Sequence, residues 1–260
     1  TGSSTHWDMI LSSLNVLSTT GDIYYNAGND GILFAHQGPQ VTGGATSADS
    51  SGDVFITGDI YYDDGSSNTF NTTGTVTIAP FSDSFSTSYA DVGTNTVFNG
   101  VTGFTWGKAT NATAIAFSMQ PNIAGPIKIY GGDVTLNNGL VSSGSNSSIL
   151  VKASGNIVGA SSTTYQTAGG KILLWANSDD TGTGYVKIAA SSTLNSVNGL
   201  TTRTATGGGD IIIGGGSAVG SDGNPTGAAL SGSASYHGVG IGGGGSASTL
   251  TSIYSGGGKI

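Results

Sequence analysis

The chain has 260 residues, enough for one or two domains, and its 36 % hydrophobic content allows a buried core and argues against disorder. It carries 46 glycines, only 8 % charged residues, no glutamate and no cysteine, which argues against helical folds and excludes disulfide frameworks and thiolate metal sites. A net charge of −8 with six lysines and one arginine lacks the basic footprint that counterion release requires, so no nucleic-acid partner is expected.

Residues 1–20 space Ile10, Leu14 and Leu17 as a helix would, but the Ser and Thr around them are poor helix formers, and the segment reads as strand. Gly21-Asp22-Ile23 then opens a phrase that recurs at Gly52-Asp53-Val54, Gly58-Asp59-Ile60, Gly132-Asp133-Val134, Gly155-Asn156-Ile157, Gly170-Lys171-Ile172, Gly209-Asp210-Ile211 and Gly258-Lys259-Ile260. A residue tolerant of positive φ, a polar residue and a period-two apolar run make a short strand leaving a corner. The stretch Gly28 to Ser51 reads as loop-rich. In the middle, Ile115, Phe117 and Met119, then Ile127 and Ile129, Val134 and Leu136, and later Val186 and Ile188, alternate as half-buried strands do. Ile172-Leu173-Leu174-Trp175 and Ile211-Ile212-Ile213 are continuous apolar runs, which predicts strands covered on both faces or lying under a loop. Residues 214–248 read as a turn-rich excursion with one short strand around Tyr236 to Ile241.

Repetition of one strand phrase at drifting intervals predicts an all-β solenoid of stacked coils with irregular lengths and Gly/Ser-rich loops. At roughly 20 residues per coil and about 4.8 Å per stacked strand, the chain makes on the order of a dozen coils. The organisation expected is an irregular β-rich part over 1–100 and a regular solenoid over 101–260, interrupted by the excursion at 214–248. Because Gly258-Lys259-Ile260 opens another copy of the phrase, the solenoid is expected to continue beyond 260 in a longer parent. No uninterrupted apolar run is long enough to span a bilayer, so no membrane insertion of this segment is expected.

Residues 104–140 include Phe104-Thr105-Trp106-Gly107-Lys108-Ala109 and Ile127-Lys128-Ile129-Tyr130-Gly131-Gly132-Asp133-Val134-Thr135-Leu136. Related phrases are Thr73-Gly74-Thr75-Val76-Thr77-Ile78, Gly169-Gly170-Lys171-Ile172-Leu173-Leu174-Trp175-Ala176-Asn177 and Gly208-Gly209-Asp210-Ile211-Ile212-Ile213. Over most of residues 50–260 the chain resembles the large β-strand-repeat, filamentous-haemagglutinin-like exoproteins of bacteria, treated as adhesins or surface fibres. The resemblance implies a right-handed parallel β-helix in a long protein exported to the cell surface. It brings no catalytic residue, and its expected partners are host or neighbouring cell surfaces, glycans or sister copies in a fibre.

The alternative is a carbohydrate-active β-helix, a polysaccharide lyase or hydrolase, for which Asp63-Asp64, Asp179-Asp180 and Arg203 are the candidate groups. General acid–base work needs two carboxylates, or a carboxylate and a base, converging in a cleft; adjacent Asp pairs in Gly/Ser/Asn loops more often cap turns, and no catalytic residue is assigned. Asn177, Asp179 and Asp180, with Thr181, Gly182 and Gly184, form the candidate calcium site, since hard cations choose oxygen ligands in tight Gly-containing loops. Asp63, Asp64 and Asn68 are a weaker set, Asx turns are the competing reading of both, and no other cofactor is expected. His6, His36 and His237 lack zinc-ligand spacing. Gly238-Val239-Gly240-Ile241-Gly242-Gly243 mimics a dinucleotide loop but is followed by Ser and Gly rather than a helix. Tyr24-Tyr25, Tyr61-Tyr62, Trp106 and Trp175 make a sugar-stacking stripe if they face outward, and core or corner packing if they do not.

Overall fold

A computed structural model describes residues 9–12, 15–18, 21–28, 32–36, 40–43, 52–63, 68–86, 89–92, 95–197, 207–232, 238–242 and 250–260. Every regular element among them is a strand. No helix among the described residues is long and apolar enough to cross a membrane.

Strands of successive passes pair in parallel with the strand three places further along the chain, or four where Pro225–Gly227 intervenes, so each pass contributes one strand to each of three stacks. The first stack holds Met9–Ser12, Ile32–His36 and Ile60–Asp63, then, across an interruption of the ladder, Tyr89–Val92, Ile115–Phe117, Val134–Leu136, Ile157–Gly159, Val186–Ile188 and Val239–Ile241. The second holds Asn15–Ser18, Gln40–Gly43, Asn68–Asn71 and Thr96–Asn99, then Asn122–Ile123, Leu140–Ser145, Thr164–Ala168, Thr193–Asn195 and Ser252–Tyr254. The third is continuous: Ile23–Asn26, Val54–Thr57, Thr75–Ala79, Gly103–Trp106, Ile127–Gly131, Ile149–Ala153, Ile172–Ala176 and Ile211–Val219. On its end lies the antiparallel strand Pro225–Gly227, which makes this sheet mixed. All-β architecture built from long parallel stacks is compatible with a β-solenoid.

Several segments that read ambiguously in the sequence are strands here. Within the first twenty residues the described segments Met9–Ser12 and Asn15–Ser18 are strands, and Ile32–His36 and Gln40–Gly43 lie within the stretch that reads as loop-rich. Parallel partners, on one side of Met9–Ser12 and Asn15–Ser18 and on both sides of Ile32–His36 and Gln40–Gly43, supply the backbone bonds that short strands lack on their own. Successive passes of the third sheet are offset by register from Ile23 to Val54, Val76, Phe104, Ile127, Ile149, Ile172 and Ile211. Most passes therefore take more than the roughly 20 residues expected of a coil, and the stack has fewer passes than a dozen.

Alternation places one side chain of every pair in the interior. Along the third sheet Val54, Val76, Phe104, Ile127, Ile149, Ile172 and Ile211 form one buried column, and Ile56, Ile78, Trp106, Ile129, Val151 and Leu174 form the next. Each such side chain contributes about 1.5–3 kcal/mol by leaving water. Between Tyr61 and Phe117 the core is aromatic: Tyr61 meets Trp106 edge-on with centroids 5.0 Å apart, and Phe104 and Trp106 both pack against Phe117. From Ile127 onward it is aliphatic apart from the buried Tyr165 ring.

Candidate functional site

The recurring Gly-polar-apolar phrase sits at corners, and the stack explains each of its positions. A Cβ at Gly52 would stand 2.3 Å from the carbonyl oxygen of Gly21, one at Gly209 would stand 2.2 Å from that of Gly170, and one at Gly258 would stand 2.2 Å from that of Gly209. Glycine is required there by the close approach of the neighbouring pass, rather than by a turn conformation. The polar residue that follows bonds the next pass. Asp22 Oδ1 accepts the Asp53 N–H at 3.0 Å, Asp53 Oδ1 accepts the Thr75 N–H at 2.6 Å, Asp133 Oδ1 accepts the Asn156 N–H at 2.7 Å, and Asp210 Oδ1 accepts the Lys259 N–H at 2.8 Å. Three residues before the glycine, the hydroxyls of buried Thr167 and half-buried Ser255 donate to the carbonyls of Gly170 and Gly258, and the buried Ser196 hydroxyl, further back along the chain, donates to that of Gly209. These hydroxyls escaped the sequence reading, although a Ser or Thr two to four residues ahead of several phrase glycines was a visible signal.

The candidate calcium residues lie on the corner that leaves the strand Ile172–Ala176. Asn177 and Asp180 adopt left-handed backbone, φ 49° and 57°, which short polar side chains tolerate. Asn177 is fully buried, its carbonyl accepts the N–H groups of Asp180 and Gly216, and its side-chain amide atoms have no hydrogen-bond partner. Asp179 is exposed and uses both carboxylate oxygens on Thr181, taking its N–H at 3.2 Å and its hydroxyl at 2.8 Å. This is the geometry of an Asx turn, with the buried amide and the exposed carboxylates in different surroundings. Among the described residues no three His, Cys, Asp or Glu side chains gather closely enough to hold a metal ion.

Of the candidate acid–base residues, Asp63 ends a strand of the first stack and Asp179 and Asp180 stand on the corner just described. Asp64, Arg203, His6 and His237 lie outside the described residues, and His36 is placed in backbone only, at the end of Ile32–His36. Gly238 and Val239-Gly240-Ile241 of the dinucleotide-like phrase enter a parallel strand that pairs with Val186–Ile188.

Of the aromatic stripe, Tyr25, Tyr61 and Trp106 face inward, and the Tyr62 side chain lies outside the described residues. Trp106 is wholly buried, Tyr61 nearly so, and Tyr25 packs against the core, where burial pushes its phenol up to about 12. Tyr24 is the exposed outward member, 69 % exposed, with its ring stacked on that of Phe55 at 4.8 Å and its hydroxyl donating to Asp22 Oδ2. That hydrogen bond, ahead of any burial, raises its phenol above the ordinary value.

Trp175 faces outward but is covered. The strand Ile211–Val219 runs past the end of the sheet and returns as Pro225–Gly227, and the Trp175 indole N–H donates to the Gly216 carbonyl at 2.8 Å beneath this arm. Every residue of Ile172–Ala176 is thus buried, as its continuous apolar run predicts. Lys152 lies over the Trp175 ring at 4.5 Å, and Lys171 Nζ donates to Asn224 Oδ1 at 2.7 Å. Asp222 accepts both the side-chain and backbone N–H of Asn224, and these bonds hold its carboxyl below the usual range. Lys128 projects from the same face, beside Leu150 on the next pass, as Tyr130 lies beside Lys152.

The outer face of the third sheet is therefore the candidate contact surface, with an aromatic and acidic end at Asp22, Tyr24, Asp53 and Phe55 and a cationic end at Lys128, Lys152 and Lys171. No family model, curated protein or solved structure matches the chain.

Proposed function

We propose that the chain is a non-catalytic structural and adhesive segment of a large exported bacterial cell-surface protein, resembling the filamentous-haemagglutinin-like adhesins. It is a right-handed parallel β-helix acting as stalk, fibre or contact surface towards host or neighbouring cells, glycans or sister copies. The observation that carries this reading is the use of its polar groups. Asp22, Asp53, Asp133 and Asp210 each hold the backbone of the next pass, and Thr167, Ser196 and Ser255 brace the corner glycines. Side chains committed to joining passes serve length and stiffness, because a stack lengthens by adding like units. A carbohydrate-active enzyme is the second reading, favoured by the exposed Tyr24 ring beside Asp22 and Asp53, since sugars stack on aromatic faces and donate hydroxyls to carboxylates.

Antibodies raised against the purified chain and applied to intact cells of the bacterium that encodes it decide between these. Labelling of surface fibres on unpermeabilised cells is expected. Labelling only after permeabilisation overturns the surface assignment, and release of shortened products from uronate or neutral polysaccharides overturns the non-catalytic one.

A further inference from the structure

The charges of the chain are segregated along it. Residues 1–107 contain ten aspartates and no lysine or arginine, a net −10, whereas residues 108–260 contain five aspartates, six lysines and one arginine, a net +2; together these make the −8 of the whole. Passes of the third sheet stack in sequence order, so an asymmetry along the sequence becomes one along the stack, at about 4.8 Å per pass. The outer face of that sheet carries both signs. Exposed Tyr24 stands on its first strand, with Asp22 and Asp53 at the corners just before the first two; Lys128 and Lys152 stand on two consecutive later strands, with Lys171, bonded to Asn224, at the corner before the next. Between them the outward residues Thr77 and Thr105 are short and neutral.

We propose that two copies of this chain pair side by side and antiparallel through the outer faces of their third sheets, with Lys128, Lys152 and Lys171 of each copy facing Asp22, Tyr24 and Asp53 of the other. The inference rests on the reading of the chain as a contact surface and names a second copy as the partner. Acidic and basic patches lie roughly 20 Å apart on one face, by the stacking distance. Parallel copies in register would place like charge on like, whereas antiparallel copies place opposite charges together twice, which is the self-complementarity of a two-fold contact. The short threonines at the centre permit close approach, and the lysine stems beside Leu150, with the Tyr24–Phe55 pair, supply apolar area. An acidic polysaccharide would match only the lysine end and leave the acidic end unused; a second copy engages both.

Sedimentation equilibrium of the whole chain tests the proposal. At low ionic strength the wild type is expected to sediment as a dimer, and at 1 M salt, where the screening length is about 3 Å, as a monomer. The double variants Lys128→Glu/Lys152→Glu and Asp22→Lys/Asp53→Lys are each expected to self-associate at least about tenfold more weakly, a change of about 1.4 kcal/mol, and an equimolar mixture of the two is expected to restore pairing. Lys171 and Lys259 occupy the equivalent place in the phrase, but the Asp22 and Asp53 carboxylates also hold the next pass, so folding of the second double variant is checked first. Circular dichroism checks that each variant keeps its β spectrum; should the aspartate variant not fold, the lysine variant and the salt dependence of the wild type decide. A wild type that stays monomeric at low salt, variants that pair as the wild type does, or a mixture that stays monomeric would each overturn the proposal. So would a monomeric wild type whose lysines are needed for retention on an immobilised uronate polymer, a result that assigns the lysine end to a glycan. None of these outcomes affects where antibodies label the cell, so failure of pairing and failure of the surface-protein reading are distinct.

Discussion

Asp59 illustrates what single polar residues do in this chain. It is 1 % exposed, and its two carboxylate oxygens accept the N–H and the hydroxyl of Ser82, both at 2.7 Å, fixing the loop that leaves the strand Thr75–Ala79. Removing a buried charged acceptor strands its donors, so Asp59→Ala is expected to cost about 2–3 kcal/mol in a urea titration. Asp179→Ala, which releases only an exposed Asx turn, is expected to stay within about 0.5 kcal/mol; equal losses would show that the corner and loop carboxylates are not distinguished by burial. Tyr165 carries the pH dependence. Its ring is fully buried, and burial pushes its phenol from the ordinary 10.0 up to about 12. A group whose folded value is raised contributes stability that is complete below the unfolded value and is lost as pH rises through the folded one. Stability is therefore expected to hold up to pH about 10 and to fall by about 2–3 kcal/mol on the way to pH about 12. Tyr165→Phe should flatten that alkaline limb in denaturant titrations at a series of pH values, apart from the share of Tyr25, whose phenol is raised in the same sense. A limb unchanged by the substitution would place the alkaline sensitivity elsewhere.

At the scale of strands and corners, the glycine positions separate those fixed by neighbours from those with open space beside them. A Cβ at Gly125 would lie 1.4 Å from the Thr102 carbonyl oxygen, whereas one at Gly240 would meet nothing within 4 Å. Gly125→Ala is accordingly expected to destabilise by about 3 kcal/mol, and Gly240→Ala to be nearly neutral, when melting curves of the two are compared. The arm over Trp175 gives a second test. Asn224→Ala removes the acceptor of Lys171 Nζ and the donor to Asp222, so the arm should lift, exposing Trp175 and moving its fluorescence to the red; an unchanged emission maximum would mean that the Trp175–Gly216 bond and Pro225 hold the arm alone. Much of this was legible beforehand. The alternation at Ile115–Phe117, Ile127–Ile129 and Val134–Leu136, and the all-apolar run at Ile172–Trp175, reported both strand and burial because periodicity is a local property. The grouping of strands into three stacks was not legible, since pairing with the strand three places on is set by distances between passes that the sequence does not encode locally. Nor was the role of Asp22 or Asp133, because an aspartate that caps its own turn and one that holds the next pass occupy the same Gly-Asp-Ile phrase. The inward turn of Trp106 and Tyr61 followed from strand phase, which a one-residue shift would have reversed.

For the molecule as a whole, the consequence of this architecture is that stability is passed between neighbours. Circular dichroism should show a β spectrum with negligible helix; helix above about a fifth, against a globular norm near a third, would contradict the stacked-strand fold. The more discriminating expectation concerns how damage spreads. Ile129 is wholly buried and pairs in register with Trp106 on one side and Val151 on the other. Ile129→Asp places an uncompensated charge between them and should cost several kcal/mol. Where each pass touches chiefly the passes beside it, the loss is local before it is global. Hydrogen exchange should therefore accelerate first in Gly103–Trp106, Ile127–Gly131 and Ile149–Ala153, and least in Ile23–Asn26 and Ile211–Val219, which lie several passes away. Such a gradient would suit the stalk proposed above, because local yielding leaves the remaining passes joined. Uniform acceleration of all protected amides in the variant would instead mean that the three stacks fold as one indivisible unit, and the nearest-neighbour account of this chain would fall.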